Sequence, residues 1–325
     1  MTITKMIDAP TFRSVITGAV RAPSMYNEQP WRFSLVDGAI EVRTDRWRGL
    51  PVADPTGWAA RVACGAAIAN IRLGLAVAGV EAAVRVRPSP SEEDLIATIA
   101  AGGNHTPTPS DRALCDAIPR RRSNRRPFAD VAVPASARAR MQDIVGAAGG
   151  WLVFVDDRAG VARVADIIAR ADATLRSDAE YLTEMRAWTG RDSAETVGIP
   201  TDSAGVAPAS QDLLAMRDYG GPQRPAGRDF ETDPLIAVLG TYGGRPDDDV
   251  NAGIMLQMVL LSATDERLAT SMLSQPIEVP SSRDELARTV ARRGVAQMII
   301  RIGYGQPATA TPRRPIDDVI DIVSG

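Results

Sequence analysis

The chain has 325 residues, of which 45% are hydrophobic and 24% charged, values typical of a globular protein large enough for about two domains. Its formal net charge of -3 and isoelectric point near 5.4 give no general attraction to nucleic acid or to an anionic membrane. The single histidine, His105, lies in a segment rich in Gly, Pro and Thr. This argues against a Ser-His-Asp triad and against a histidine-rich metal site.

The sequence also lacks the features of secreted and membrane proteins. Cys64 and Cys115 have neither the spacing of a metal site nor a CxxC motif, and we interpret them as reduced residues of a cytoplasmic protein. The first ten residues have no apolar core of the signal-peptide type, and the most apolar stretch, 62–80, contains Arg72. The acidic run 247–249 could bind a cation, but its position after Gly and Pro residues favours a solvated turn that leads into a helix.

Periodicity predicts the elements of the first half, which we place at residues 1–110. A helix is expected from Thr11 to Val20, and a hairpin over 31–42 that turns at Asp37-Gly38. The segment 58–80 is small and apolar on nearly all sides, which predicts a helix buried against other helices. Strands are expected at 84–86 and 95–99, followed by a loop around Pro107 and Pro109.

The second half, residues 111–325, repeats this plan. The segment WLVFVDD, which begins at Trp151, falls 120 positions after WRFSLVD, which begins at Trp31. The segment VNAGIMLQMVLLSATDERL, from Val250, falls 188 positions after VACGAAIANIRLGLAVAGV, from Val62. We therefore predict two similar halves, with 188 minus 120, or 68, additional residues in the second.

The additional residues lie between Asp157 and Val250, and the segment from about Asp172 to Asp233 fits their position. An insertion of this length is typical of a lid or substrate loop, or of a disordered surface excursion. An apolar stripe at helical spacing favours the lid; it consists of Tyr181, Leu182, Met185 and Trp188.

The most strongly charged stretch is RRRSNRRPF, residues 120–128, in which five of the seven positions up to Arg126 are arginine. Guanidinium groups hold phosphate through forked, charge-assisted hydrogen bonds. The run is therefore either a solvated basic linker or a site for an anion. Binding of nucleic acid would require further basic and aromatic surface, and an acidic chain with 5% aromatic residues argues against it.

Four motifs, in the correct order over most of the chain, resemble those of nitroreductase-family flavoproteins. PSMYNEQPWRF, from Pro23, resembles the PSxxNxQPW signature, and RRSNRRPF, from Arg121, resembles the RxSxR motif. PIE at 276–278 resembles the flavin-N5 segment, and IRIGYGQPATATPRRPIDDV, from Ile300, resembles the closing strand and basic tail. The twin halves and long insertion are most similar to the Acg-type branch of mycobacteria. The resemblance implies an α+β fold with mixed or antiparallel sheets packed around central helices.

The distribution of the motifs implies one cofactor site. Ordinary members of the family carry both RxSxR and PSxxNxQPW in each subunit, and a symmetric dimer shares two FMN sites. Here the first half has only PSxxNxQPW and the second only RxSxR, since NEQP at 27–30 becomes AAGG at 147–150. We therefore expect a monomer that acts as an intramolecular pseudo-dimer, with one FMN site intact and one erased.

By this resemblance, each motif contacts one part of a non-covalently bound FMN. Residues expected at the phosphate are Arg121, Arg122, Ser123 and either Arg313 or Arg314, and those expected along the isoalloxazine are Pro23, Ser24, Met25 and Asn27. Arg125 would reach the pyrimidine end of the ring, where positive charge stabilises reduced flavin. A backbone N–H of Ile277 or Glu278, after Pro276, would face N5. Met25 replaces a usual serine, so we expect one polar flavin contact fewer.

Two functions are consistent with a single FMN site of this kind. The first is an oxidoreductase that takes hydride from NAD(P)H and passes electrons to a nitro or quinone-like acceptor. It requires no metal and no catalytic side chain, because flavin N5 carries the chemistry. The second is a non-enzymatic protein for FMN storage or sequestration, in which the insertion covers the flavin too closely for NAD(P)H to stack on it.

Overall fold

The computed structural model describes residues 6–89, 91–209, 211–224, 230–231 and 233–322. Two sheets, one in each half, pack with their helices around two large apolar clusters. Both clusters draw residues from the long central helices of the two halves, so the halves share their interior.

The first half follows the predicted order of elements. Its helices and strands are α1 (Ala9–Ala19), β1 (Trp31–Val36), β2 (Ala39–Thr44), α2 (Trp58–Val77), β3 (Val80–Val86) and β4 (Leu95–Asn104), and α3 (Pro109–Ala117) spans the predicted boundary between the halves. The predicted end of α2 at residue 80 was wrong: Gly79, with φ of 78°, reverses the chain, and Val80 begins a strand. The loop expected at Pro109 is a helix, because proline is favoured at a first helical position and Thr108 caps the N-terminus.

The second half repeats the four main strands and the long central helix of the first, with the insertion between its first two main strands and with further short elements. Its helices and strands are β5 (Phe128–Ala129), α4 (Ala135–Ala147), β6 (Gly150–Val155), α5 (Arg158–Arg176), α6 (Ala179–Trp188), β7 (Thr189–Arg191), β8 (Ile199–Pro200), β9 (Leu235–Thr241), α7 (Pro246–Asp265), β10 (Ala269–Leu273), α8 (Gln275–Glu278), α9 (Pro280–Thr289), β11 (Val295–Gly305) and β12 (Ile320–Ile322). The helix α5 continues through Asp172, so the predicted start of the insertion falls inside a helix.

The two sheets have the same strand order, as expected for pseudo-symmetric halves. The first is β1-β2-β4-β3 and the second β6-β9-β11-β10, antiparallel throughout. In the first half Asp37-Gly38 forms the two-residue turn between β1 and β2, with φ of 49° and 72°. In the second half residues 156–234 replace this turn. The chain then crosses back, and β12 pairs in parallel with the free edge of β1.

The central helices α2 and α7 cross at two glycines. A Cβ added at Gly65 would lie 2.1 Å from the Val250 carbonyl oxygen, and one added at Gly253 would lie 2.0 Å from the Val62 carbonyl oxygen. These pairs are exchanged by the 188-residue offset, so the crossing lies on the pseudo-twofold axis. Of the described helices, α2 is long and apolar enough to span a bilayer, but 67% of that stretch is buried, as in a core helix.

An ion pair close to the same axis corrects the prediction for the acidic run. Asp249, expected in a solvated turn, is 5% exposed, and its Oδ2 accepts a hydrogen bond at 2.9 Å from Arg61 of α2. Residue 61 plus 188 is 249, so the two charges occupy equivalent positions of the two helices. The predicted turn into a helix is present, with residues 247–249 in the first turn of α7.

The insertion packs against the loop that precedes β1. In α6 the predicted apolar stripe joins a small cluster with Tyr26 and Leu50 of the first half. The strands β7 and β8 pair in parallel beside it. Residues 210, 225–229 and 232 of the insertion lie outside the described residues.

Gly253→Ala is expected to destabilise the fold, because the new methyl group would meet the backbone of the facing helix, which cannot move alone. We expect the free energy of unfolding to fall by about 1–3 kcal/mol in a denaturant titration. The control is Gly146→Ala in α4, whose Cβ would have no atom within 4 Å. The control should gain up to about 1 kcal/mol from helix propensity. Equal effects of the two substitutions would contradict the crossing.

Candidate functional site

The segment 23–30 connects α1 to β1 through a strained turn. Tyr26, Asn27 and Gln29 have positive φ angles of 48°, 58° and 55°, which residues other than glycine adopt at an energetic cost. The Ser24 Oγ accepts a hydrogen bond at 3.0 Å from the Gln29 N–H and closes the turn. Strain of this kind persists only where surrounding contacts hold it, and here the side chains of Asn27 and Gln29 make those contacts.

The amides of Asn27 and Gln29 fasten two distant segments to this turn. Asn27 Nδ2 donates to the carbonyl oxygens of Gly198 and Pro312 at 2.9 and 3.0 Å. Gln29 Nε2 donates to the Thr196 carbonyl oxygen at 2.7 Å. The turn therefore holds both the insertion and the C-terminal tail. The Asn27 amide is used in these bonds and does not line the cavity described below.

Arginines from three segments lie together beside the turn: Arg21, Arg121, Arg122 and Arg313. Arg121 Nη2 and Arg313 Nη2 both donate to the Arg21 carbonyl oxygen, each at 3.4 Å. The charges that act on this cluster are those of other arginines. Burial, and then the charges of Arg122 and Arg125, lower the pKa of Arg121 to about 10. Burial, and then Arg121, Arg21 and Arg122, lower the pKa of Arg313 well below its usual value.

This arginine cluster also has unused hydrogen-bond donors. Arg121 is 4% exposed, and its Nε and Nη1 have no partner among the described residues. Arg313 Nη1 donates to Asn27 Oδ1 at 2.8 Å and to Thr311 Oγ1 at 2.6 Å, while its Nε has no partner in the same part of the chain. Buried positive charge with unpaired donors is unfavourable unless an anion accepts the bonds. The cluster therefore has the positive charge and the unpartnered donors that an anion site requires.

Arg314 faces away from the arginine cluster. Its Nη1 donates to Asp45 Oδ2 at 3.3 Å, and its Nη2 donates to the Asp318 carbonyl oxygen at 2.8 Å. Its backbone N–H donates to Gln29 Oε1 at 2.9 Å. Of the two predicted alternatives in the tail, the structure brings Arg313 to the cluster and uses Arg314 to hold the tail in place.

A cavity lies between the halves, beside the segments that carry the arginine cluster. The residues lining it are Pro23, Ser24, Met25, Tyr26, Trp58, Ala59, Val62, Ala63, Ser123, Arg125, Arg217, Tyr219, Leu256, Ser271, Met272, Ser274 and Met298. The predicted residues Pro23, Ser24, Met25, Ser123 and Arg125 are among them. The walls come from α2, α7, β10, β11 and the insertion, so neither half forms this cavity alone.

The segment of Pro276 to Glu278 is a short helix whose first N–H groups are occupied. The N–H groups of Ile277 and Glu278 donate to the Ser274 carbonyl oxygen at 2.8 and 3.1 Å. Neither group is free to face a ligand in this structure, in contrast to the expectation for N5. Ser271 and Ser274 line the cavity at this end instead.

The Glu278 side chain belongs to a buried network with the insertion. Its Oε1 pairs with Arg217 Nη2 at 2.8 Å, with side-chain exposures of 1% and 5%. Its Oε2 accepts from the Tyr181 hydroxyl at 2.9 Å, and the Tyr181 and Tyr26 hydroxyls are 2.8 Å apart. Tyr181 was marked by its apolar stripe, whereas Arg217 has no periodicity or motif in the sequence. No sequence signal could have identified it.

The equivalent position in the other half carries a different side chain. Ala59 lines the cavity in α2, and the 188-residue offset places Asp247 at the same position of α7. Asp247 Oδ1 lies 3.4 Å from Arg87 Nε, so an ion pair stands in place of a small side chain. The counterpart of the strained turn, residues 143–150, is the end of α4 and the start of β6. The two halves therefore differ at these positions, and one intact site with one erased site stays a prediction.

A buried carboxyl group lies behind the strained turn. Glu28 is 1% exposed, and its Oε1 has no partner among the described residues. Burial, and then the charges of Asp54 and Glu184, raise the pKa of Glu28 well above its usual value, and Arg48 opposes this only in part. Burial also raises the pKa of Asp54 to about 6. The fold therefore favours the neutral form of Glu28.

No family model matches the chain. Two proteins of Mycobacterium tuberculosis (strain ATCC 25618 / H37Rv) are similar to it over nearly their whole length. "Putative NAD(P)H nitroreductase Rv3131" is 32% identical over 323 residues, 97% of this chain and 92% of the relative. "Putative NAD(P)H nitroreductase acg" is 31% identical over 328 residues, 98% of this chain and 97% of the relative.

Solved structures are less similar to this chain than these two relatives are. The FMN-dependent nitroreductase NfnB of Mycobacterium smegmatis, in complex with NADPH, is 20% identical, with a TM-score of 0.43 over 66% of this chain and 99% of that one. Similarity at this level carries no argument about the site. The family assignment rests on the two sequence relatives.

Glu28→Gln is expected to stabilise the protein at alkaline pH. The pKa of Glu28 in the fold exceeds the unfolded value, so stability is full below that value and is lost as pH rises toward the folded pKa. Glutamine resembles the neutral acid and removes this loss. We expect a Tm gain of roughly 2–4 °C at pH 8 and less than about 1 °C at pH 5. The exposed Glu93→Gln is the control, and a larger gain at pH 5 would contradict the account.

Proposed function

The chain belongs to the Acg-type nitroreductase family, and we propose that it is an FMN-dependent oxidoreductase that takes hydride from NAD(P)H and reduces a nitro or quinone-like acceptor. We also propose that one chain binds one FMN between its halves, without a second chain. The observation that carries this proposal is the arginine cluster, in which Arg121 Nε, Arg121 Nη1 and Arg313 Nε have no acceptor among the described residues.

The arginine cluster fits the phosphate of FMN. A phosphate dianion must be paired and hydrogen-bonded when it leaves water, and guanidinium groups do this with well-directed bonds. Arg121 and Arg313 offer their unpartnered donors, and Arg122 adds positive charge at the same place. A dianion would also offset the burial and the mutual repulsion that lower the pKa values of these side chains. Arg21 joins this group, although no sequence motif includes it.

The adjoining cavity fits a planar, mostly apolar ring. Val62, Leu256 and Met298 provide apolar walls, and Trp58 provides an aromatic surface. Bound FMN would supply hydride transfer at N5, while the chain holds the ring and excludes water. The guanidinium of Arg125 also lines the cavity and brings the positive charge that favours a reduced, anionic ring.

The insertion bears on whether NAD(P)H can reach the flavin, which distinguishes an oxidoreductase from a storage protein. Arg217 and Tyr219 close part of the cavity, and the buried pair between Arg217 and Glu278 holds this wall in place. The two relatives carry names of NAD(P)H-dependent enzymes, which supports turnover. Among the described residues no contact favours storage, and the next experiment distinguishes storage from turnover.

Anaerobic addition of NADH or NADPH to the FMN-loaded protein is expected to bleach the flavin absorbance within seconds to minutes, because hydride reaches the flavin. The measurement is the absorbance spectrum during titration, with dithionite as the positive control. If dithionite reduces the flavin and neither pyridine nucleotide does, the oxidoreductase proposal is wrong and storage is supported.

Arg121→Gln is expected to weaken FMN binding by about 10- to 100-fold, because a charge-assisted hydrogen bond to the phosphate is lost. The same change removes a buried, unpaired charge, so the apoprotein should keep or increase its Tm. Both quantities can be measured, by flavin fluorescence titration and by thermal unfolding without FMN.

The matched control is Arg120→Gln in the same arginine run. Arg120 is exposed, and its Nε donates to the Asp116 carbonyl oxygen at 3.1 Å, outside the cluster. Its replacement should change FMN affinity less than about threefold. Unchanged affinity in Arg121→Gln, or equal losses in both variants, would show that the cluster is not the phosphate site.

A further inference from the structure

Arg125 is held in the cavity by the insertion. Its guanidinium carbon lies 4.6 Å from the centre of the Tyr219 ring, and its Nη1 donates to the Ser203 carbonyl oxygen at 3.0 Å. Both partners belong to the insertion, whereas Arg125 belongs to the arginine run of the second half. An aromatic face attracts a guanidinium through its quadrupole, and the attraction strengthens away from water.

The insertion also packs on the backbone of Arg125. Gly205, with φ of 90°, approaches so closely that an added Cβ would lie 2.6 Å from the Arg125 Cβ and 2.7 Å from its carbonyl oxygen. The Arg125 side chain is thus bounded by an aromatic face, an acceptor and a backbone from one segment. Such contacts limit the rotamers that a long, flexible side chain can adopt.

A residue of the first half holds Tyr219 in place. Its ring meets that of Tyr26 edge to face, with centroids 6.4 Å apart and an interplanar angle of 70°. Tyr26 is 3% exposed and accepts a hydrogen bond from Arg217 Nη1 at 3.1 Å. The position of Arg125 therefore depends on a chain of contacts that runs from the strained turn through the insertion.

We propose that Tyr219 is a positioning residue that orients Arg125 toward the flavin ring, so that the insertion stabilises the reduced form of the cofactor. This inference rests on the proposed FMN function and deepens it. A guanidinium fixed in a low-dielectric cavity stabilises an anion more than one that moves among several positions. The anionic reduced ring should gain more from this than the neutral oxidised ring.

The first test compares the midpoint potential and the oxidised-FMN affinity of Tyr219→Leu, Tyr219→Phe and the wild type. We expect Tyr219→Leu to weaken binding of reduced FMN about tenfold relative to oxidised FMN, which lowers a two-electron potential by about 30 mV. Tyr219→Phe keeps the aromatic face and should shift the ratio less than about threefold. The exposed Tyr242→Leu is the control and should leave the potential unchanged. If Tyr219→Leu unfolds, Tyr219→Met serves in its place.

The second test asks whether Tyr219 acts through Arg125. In an Arg125→Gln background, Tyr219→Leu should change the ratio of reduced-FMN to oxidised-FMN affinity less than about twofold, because the guanidinium that Tyr219 positions is absent. The same shift in both backgrounds would show direct contact between Tyr219 and the flavin and overturn the inference, as would no shift in the wild-type background. A wild-type protein that binds no FMN would instead overturn the proposed function itself.

Discussion

The close crossing of α2 and α7 is the constraint on which the rest of the structure depends. Gly65 and Gly253 allow the backbone of each helix to contact a carbonyl oxygen of the other helix. A larger side chain at either position would push the two helices apart. Because the contact repeats about the pseudo-twofold axis, it fixes both halves at once. The cavity opens beside this axis, where the start of α2 meets α7 and β10. Two halves that fold separately would leave its walls apart.

Side-chain charge differs between the two halves. On one side, the buried Arg121 lies with Arg122 and Arg313, and among the described residues no acidic side chain pairs with them, which costs stability unless an anion binds. On the other side, Asp247 and Arg87 neutralise each other at the position equivalent to the cavity wall. The two halves therefore differ in charge at equivalent positions. The insertion then adds Arg217 and Tyr219 to the wall of the cavity.

The sequence predicted what depends on local pattern. Alternation and glycine placement identified the hairpin, the central helices and the repeat. The motifs predicted that Ser24, Arg121 and Arg125 lie in one region. It missed what depends on three-dimensional contacts. Nothing in the spacing shows that Asn27 binds backbone in two other segments, that Arg314 pairs with Asp45, or that the N–H of Ile277 is already bonded. The insertion was located but its two cavity residues were not, since one arginine or tyrosine in a loop carries no periodic signal.

The central claim is that the two halves together form one flavin site in each chain. The most direct measurement is the FMN content of the purified, FMN-saturated protein by native mass spectrometry, which reports chains and cofactors in the same particle. The account predicts a single chain carrying a single FMN. Two FMN per chain, or FMN found only in particles with two chains, would contradict it.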